Sequence, residues 1–177
     1  MKKLLLILST LAFVNSTFAA EADNDKPYVE IGYTKLTYKE DPYTLTPSNI
    51  RFIVGKNDGN FGYEALLGVN SSSDSVTVSS VSVDYKINYI FGIYGKALTH
   101  INDDIELFGR LGYAKFTGTA SASSISVDNS GSGLSYGIGA KYKISKDVNL
   151  NLDYMVYYPA KDGFTLNGYT IGLGYNF

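Results

Sequence analysis

From residue 28 onward the chain alternates with a period of two, and the two parities differ in kind. One parity carries Val, Ile, Leu, Phe and Tyr; the other carries Gly and charges of both signs. The last stretch shows it plainly: Tyr169, Ile171, Leu173, Tyr175 and Phe177 alternate with Gly168, Thr170, Gly172, Gly174 and Asn176. Period two places successive side chains on opposite faces of a β-strand. Helical periodicity is hard to find, and 18 Gly in 177 residues disfavour helices. The pattern therefore restricts the chain to antiparallel β-structure.

The strands are read at residues 28–38, 49–56, 61–69, 78–98, 105–117, 134–144, 148–157 and 166–177. The fourth is long, but Val81, Val83, Tyr85, Ile87, Tyr89, Phe91 and Ile93 hold one parity without a slip, so it is kept as one strand. Asn57-Asp58-Gly59-Asn60 is a tight turn, with Asp-Gly supplying the positive φ. Residues 100–104 and 145–147 are also short turns. The opposite linkers, 39–48, 70–77, 118–133 and 158–165, are longer, and the third is a low-complexity loop of Ser, Ala, Gly and Thr.

Which face is inside decides the fold class. A soluble barrel fills its interior with the large apolar side chains. Here the other face combines Gly with Glu30, Arg51, Glu64, Lys86, Lys96, Glu106, Arg110, Lys141 and Asp153. As an outer surface that mixture is odd. As the narrow interior of eight strands it is sensible: Gly makes room, and Arg and Lys reach the carboxylates, which need such pairing once buried. The apolar face, with Tyr at the ends of its runs, then meets lipid between aromatic girdles. Backbone groups in hydrocarbon must all be paired, so the sheet must close. The expectation is an all-β fold, an eight-stranded antiparallel transmembrane β-barrel with short periplasmic turns and longer extracellular loops, and with both termini periplasmic. A soluble ligand carrier is the competing fold-level reading, and requires the apolar face to line a cavity.

The N-terminus fits export. Lys2 and Lys3 precede an apolar run from Leu4 to Val14, followed by small and polar residues. This is the layout of a secretory signal peptide, too short to span a bilayer as a helix. Residues 1–22 are read as the leader, with cleavage after Ala19 or Ala22, and residues 23–177 as a single barrel domain. Counted from Ala20 on, 13 Lys and Arg face 17 Asp and Glu, a net charge of −4. That balance argues against a nucleic-acid surface. With no Cys, the chain has no disulfides and no thiolate metal ligands.

Against this background the chain resembles the small eight-stranded outer-membrane barrels of Gram-negative bacteria, the OmpA-like and opacity-protein-like barrel domains. The resemblance runs the length of the chain. Phe108-Gly109-Arg110-Leu111-Gly112-Tyr113 resembles the fifth strand of that family, an aromatic followed by Gly-x-x-Gly-Tyr. The ending from Tyr169 to Phe177 resembles its last strand. The resemblance implies that Tyr175 and Phe177 serve as an assembly signal for the barrel-assembly machinery, and that the partners are outer-membrane lipid and lipopolysaccharide. The peptidoglycan-binding domain that follows the barrel in full-length OmpA has no counterpart here, so a cell-wall tether is not implied.

Function is less constrained than fold. The expected role is non-enzymatic, structural or surface-presenting, with no cofactor, metal or catalytic residue assigned. An adhesin that binds a host factor, a narrow gated pore and a lipid-modifying enzyme are the alternatives. The last needs a base within reach of a nucleophile. The single His, His100, lies in a short turn with Asp103 and Asp104 nearby but no Ser.

Overall fold

The computed structural model describes residues 26–177 apart from Ser79, Ser124, Lys161 and Asp162; the leader at 1–22 lies outside the described residues. Among the described residues ten strands follow one another: β1 (Pro27–Glu40), β2 (Tyr43–Leu45), β3 (Ser48–Asp58), β4 (Phe61–Ser72), β5 (Asp74–Val78), β6 (Val81–His100), β7 (Ile105–Ala122), β8 (Ile125–Lys143), β9 (Val148–Tyr158) and β10 (Phe164–Asn176). Eight of them form a closed antiparallel ring in the order β1-β3-β4-β6-β7-β8-β9-β10. The last strand returns to the first over a continuous ladder from Tyr28↔Asn176 to Glu40↔Phe164. β2 and β5 lie off the ring, paired with the ends of β1 and β6.

Alternation sets the wall. Ile31, Val54, Leu67, Phe91, Leu111, Ile138, Leu152 and Ile171 point outward and are exposed, as lipid-facing residues are in a chain described alone. Tyr33, Tyr89, Tyr113 and Tyr169 bound this band on one side, Phe61, Tyr63, Tyr142 and Tyr175 on the other. Two of the upper tyrosines are anchored to Ser on the neighbouring strand: Tyr33 donates to Ser48 Oγ at 2.7 Å and Tyr113 to Ser132 Oγ at 3.1 Å. The arrangement is that of a transmembrane barrel, whose aromatic rings sit at the two interfaces.

The short turns share one rim. Gly59 takes a φ of 58° between β3 and β4. Between β6 and β7, Asn102 Oδ1 accepts from the backbone N–H groups of Asp104 and Ile105 at 3.0 and 2.8 Å, an Asx-type turn. Between β8 and β9, Ser145 N–H donates to Val148 C=O at 3.0 Å. Short turns mark the periplasmic rim, so Pro27 and Asn176, which lie on it, are periplasmic.

Two expectations are corrected. The fourth membrane strand is one strand, but its register slips between Ile87 and Tyr89. The bulge at Asn88 inverts the parity. Tyr89, Phe91 and Ile93 face lipid, whereas Tyr85 and Ile87 are buried inside. Lys86 is therefore outward and exposed rather than part of the interior. The second correction concerns residues 118–133. They are not a loop: β7 and β8 remain paired from Ile105↔Tyr142 up to Ala122↔Ile125. With β5 and the start of β6 they make a sheet that stands beyond the barrel on the long-loop side. Its small residues keep the alternation, Ala120 and Ala122 in phase with Phe116 and Gly118, which is the signal that low complexity masks.

Candidate functional site

The barrel interior is built on two levels. The periplasmic half holds charge, because Glu30, Arg51, Glu64, Lys96, Arg110, Lys141 and Asp153 occupy inward positions on seven different strands. Arg110 is the hub. It pairs with Glu64 through Nε, with Asp153 at 3.0 Å and with Glu30 at 3.2 Å. Arg51 grips Asp153 through both guanidinium nitrogens, one at 2.8 Å. Lys141 meets Glu30 at 2.8 Å, and Lys96 meets Glu106 at 2.9 Å near the periplasmic mouth. Four carboxylates thus face four cations, so the cluster is neutral. Fork-shaped guanidinium contacts are the geometry that makes such buried charges tolerable.

Aromatic rings complete this level. Lys141 Nζ lies 4.1 Å from the centre of the Tyr28 ring, and the Arg110 guanidinium 4.3 Å from that of Phe108. Tyr28 also donates its hydroxyl to Glu64. Desolvated contacts of this kind are worth about 2 kcal/mol each at the upper end. Glycine matters here at one position in particular. A Cβ on Gly139 would run into the Phe108 ring and the backbone oxygen of Leu152, so Phe108 reaches the cluster only because position 139 has no side chain.

The extracellular half of the lumen is apolar, contrary to an interior of Gly and charge alone. Leu36, Tyr38, Leu45, Tyr85, Ile87, Ile90, Phe116, Met155, Tyr158 and Leu166 form a buried cluster. Phe164, partly buried, packs against it, stacked on Tyr158 at 4.7 Å, edge-on to Phe116 at 5.8 Å and 5.5 Å from Tyr38. Tyr85 meets Tyr38 in a tilted arrangement at 4.5 Å, a contact that exists only because the bulge at Asn88 turns Tyr85 inward. Tyr157 joins the two levels, its hydroxyl 3.4 Å from Arg51 Nη1.

Above this cork the first two extracellular connections are latched together. Asp74 accepts from the backbone N–H of Thr46 at 2.7 Å, from its hydroxyl at 3.1 Å and from the Ser75 N–H at 2.9 Å. The Thr46 N–H, foremost, holds the Asp74 carboxyl below its ordinary pKa.

Of the sequence-derived interior residues, Lys86 alone is placed on the outer wall, at the level of Thr119. Glu106 lies at the mouth with a side chain 14% exposed, close to His100 at 3.8 Å. His100 is half-exposed, and its charged neighbour is that carboxylate. Tyr175 faces outward and meets Phe177 edge-on at 5.3 Å. The aromatic cork was missed by sequence reasoning because Tyr85 and Ile87 were placed on the lipid-facing parity.

A closed eight-stranded ring with a lipid-facing wall, a charge-neutral interior and short turns on one rim defines a transmembrane β-barrel of the outer-membrane class. The chain belongs to the outer membrane protein beta-barrel domain family, whose profile matches residues 5–177. It is accordingly a protein of the bacterial outer membrane. No curated protein matches it in sequence. Among solved structures it is similar to Ail, the attachment invasion locus protein of Yersinia pestis, crystallised with the heparin analogue sucrose octasulfate, at 21% identity and a TM-score of 0.63; 87% of this chain and 99% of that one are covered. It is also similar to Neisserial surface protein A, at 10% identity and a TM-score of 0.65 over 85% of this chain and 97% of that one. For OprG from Pseudomonas aeruginosa the identity is 11% and the TM-score 0.63, over 89% and 99%. These likenesses establish the shared fold.

Proposed function

We propose that this barrel is closed to solutes and serves the envelope as a rigid mount for the β-sheet it raises above the outer leaflet. The observation that carries the reading is the filling of the lumen at two successive levels. A pore would need both the Arg110 cluster and the Phe164 cork to open together. The cluster is tied across seven strands and the cork is packed ring on ring, so neither is a hinged gate.

Within this reading, Lys35 and Lys115 are the lipopolysaccharide contacts. Both are exposed on the outer wall just above the upper tyrosines, Lys35 opposite Tyr169 and Lys115 opposite Phe91. Lysines at that height meet the phosphates of the outer leaflet. Tyr175 and Phe177, on the outer face of the closing strand, carry the assembly signal. Binding of a sulfated polymer, suggested by the ligand crystallised with Ail, is not favoured. Among its described residues the raised sheet carries Asp74, Asp84 and Asp128 with Lys86 as the one lysine, a balance that repels polyanions.

The test is conductance. Purified protein inserted into planar lipid bilayers is expected to leave the current at the protein-free baseline. Stable, ohmic single-channel steps that follow protein insertion would overturn the closed-barrel reading.

A further inference from the structure

The raised sheet ends on an unprotected edge. β8 pairs with β7 along its whole length, up to Ala122↔Ile125, but with β9 only from Tyr136↔Val156 downward. The ladder to β9 stops where Ser135 donates its hydroxyl to Val156 C=O at 2.8 Å. Residues 125–134 therefore have one neighbouring strand among the described residues. Ten residues extend about 33 Å, from the level of Tyr113 at the edge of the lipid-facing band outward. Along such an edge alternate N–H and C=O groups point away from the sheet.

Natural edges are usually blocked by Lys, Pro, a bulge or brevity. This one carries neither Lys nor Pro, is longer than most strands and pairs with β7 without a register shift. Its side chains alternate. Ile125 and Val127 are 69% and 61% exposed on the face that continues Ala120, Ala122 and Val83, while Ser126, Asp128 and Ser130 lie on the other. Asp128, the single ionisable group between residues 125 and 134, accepts from Thr119 Oγ1 at 2.7 Å and stays exposed.

We infer that residues 125–134 of β8 are a docking edge to which an extended polypeptide segment, outside the cell, adds as an antiparallel strand. The segment is β-branched or apolar at alternate positions, to pack beside Ile125 and Val127. It carries Lys or Arg on the opposite face, beside Asp128. Main-chain hydrogen bonds supply affinity in this mode and the alternate side chains supply selectivity. A second copy in the same membrane is a poor occupant. A two-fold axis along the membrane normal sets the two β8 strands parallel, the weaker ladder.

The proposal rests on the surface-presentation reading, but its test is independent of conductance. A fluorescein-labelled nine-residue peptide, alternating Val with Thr and Lys, is titrated against the protein in lipid nanodiscs and followed by anisotropy. Saturable binding is expected. N-methylation of alternate peptide nitrogens on the pairing edge keeps every side chain and should weaken binding by at least about tenfold. Asp128→Asn should weaken it about two- to fivefold. A variant with the β7–β8 hairpin cut back to Thr117 and Ser130 and closed by Asn-Gly should bind no peptide while keeping the heat-dependent gel shift of an intact barrel. No saturable binding, or binding indifferent to N-methylation or to the shortened hairpin, overturns the proposal. So does hairpin-dependent self-association by sedimentation that excludes the peptide, which would assign the edge to a second copy.

Discussion

Replacing Arg110 by Met removes the one ion-pair partner that Glu64 has among the described residues. The consequence follows from what each partner keeps. Glu30 retains Lys141 at 2.8 Å, and Asp153 retains both nitrogens of Arg51. Glu64 retains the Tyr28 hydroxyl and no ion pair among the described residues. The variant therefore strands one fully buried carboxylate and takes the interior cluster from neutral to a net charge of −1. Stranding a buried charge costs about 3–5 kcal/mol. With a urea slope of about 3 kcal/mol per M, the unfolding midpoint falls by about 1 M or more. The assay is urea unfolding of protein refolded into lipid vesicles, read by far-ultraviolet circular dichroism. The double variant Arg110→Met with Glu64→Gln restores neutrality, and its Gln still accepts from Tyr28. It should recover at least about half of the lost stability, as expected for residues coupled in one network. A midpoint shift below about 0.3 M for Arg110→Met, or no recovery in the double variant, would refute the argument, because it would mean that water already screens these charges.

Three further outcomes are expected. Deletion of Asn88 straightens β6 and turns Tyr85 and Ile87 out of the cork, at about 1.5–3 kcal/mol for each side chain lost; limited proteolysis should then cut the extracellular strands while the heat-dependent gel shift persists. Gly109→Ala makes only an ordinary 3.9 Å contact with the backbone oxygen of Gly137, whereas a Cβ on Gly112 runs into the backbone oxygen of Ile93; the first should fold with unchanged yield and the second should lose most folded protein in a refolding gel. The Asp74 latch has a folded pKa below the ordinary 3.8. Its contribution is complete above that value and is lost as pH falls through the lower folded one. Amide exchange at Thr46 should therefore show added protection relative to Asp74→Asn at pH 6, with the difference closing only below about pH 4.

How much of this was legible follows from where alternation is local. Over Tyr169–Phe177 each apolar residue and each Gly sits on the side that its parity assigns, because the wall there meets hydrocarbon and the inward positions are filled by Gly and small polar residues. Asp58-Gly59 and Asn102 declare their turns because the chemistry is contained in a few adjacent residues. Residues 118–133 misled for the opposite reason. Ser, Ala and Gly have weak strand preference of their own, and they pair because β6 and the lower parts of β7 and β8 deliver them in register. Lys86 misled because one extra residue, Asn88, moves every position beyond it to the other face.

The amino-acid sequence thus determined a strand-built, closed, outward-apolar barrel, since an open or inverted sheet of this pattern leaves backbone groups or charges unpaired in lipid. Tertiary structure decided which charges meet, where the bulge falls, that rings from five strands cork the extracellular mouth, and that β8 outruns β9 to leave a bare edge. Those features depend on barrel stagger, which sets residues far apart in sequence at one height and exists only once the ring has closed.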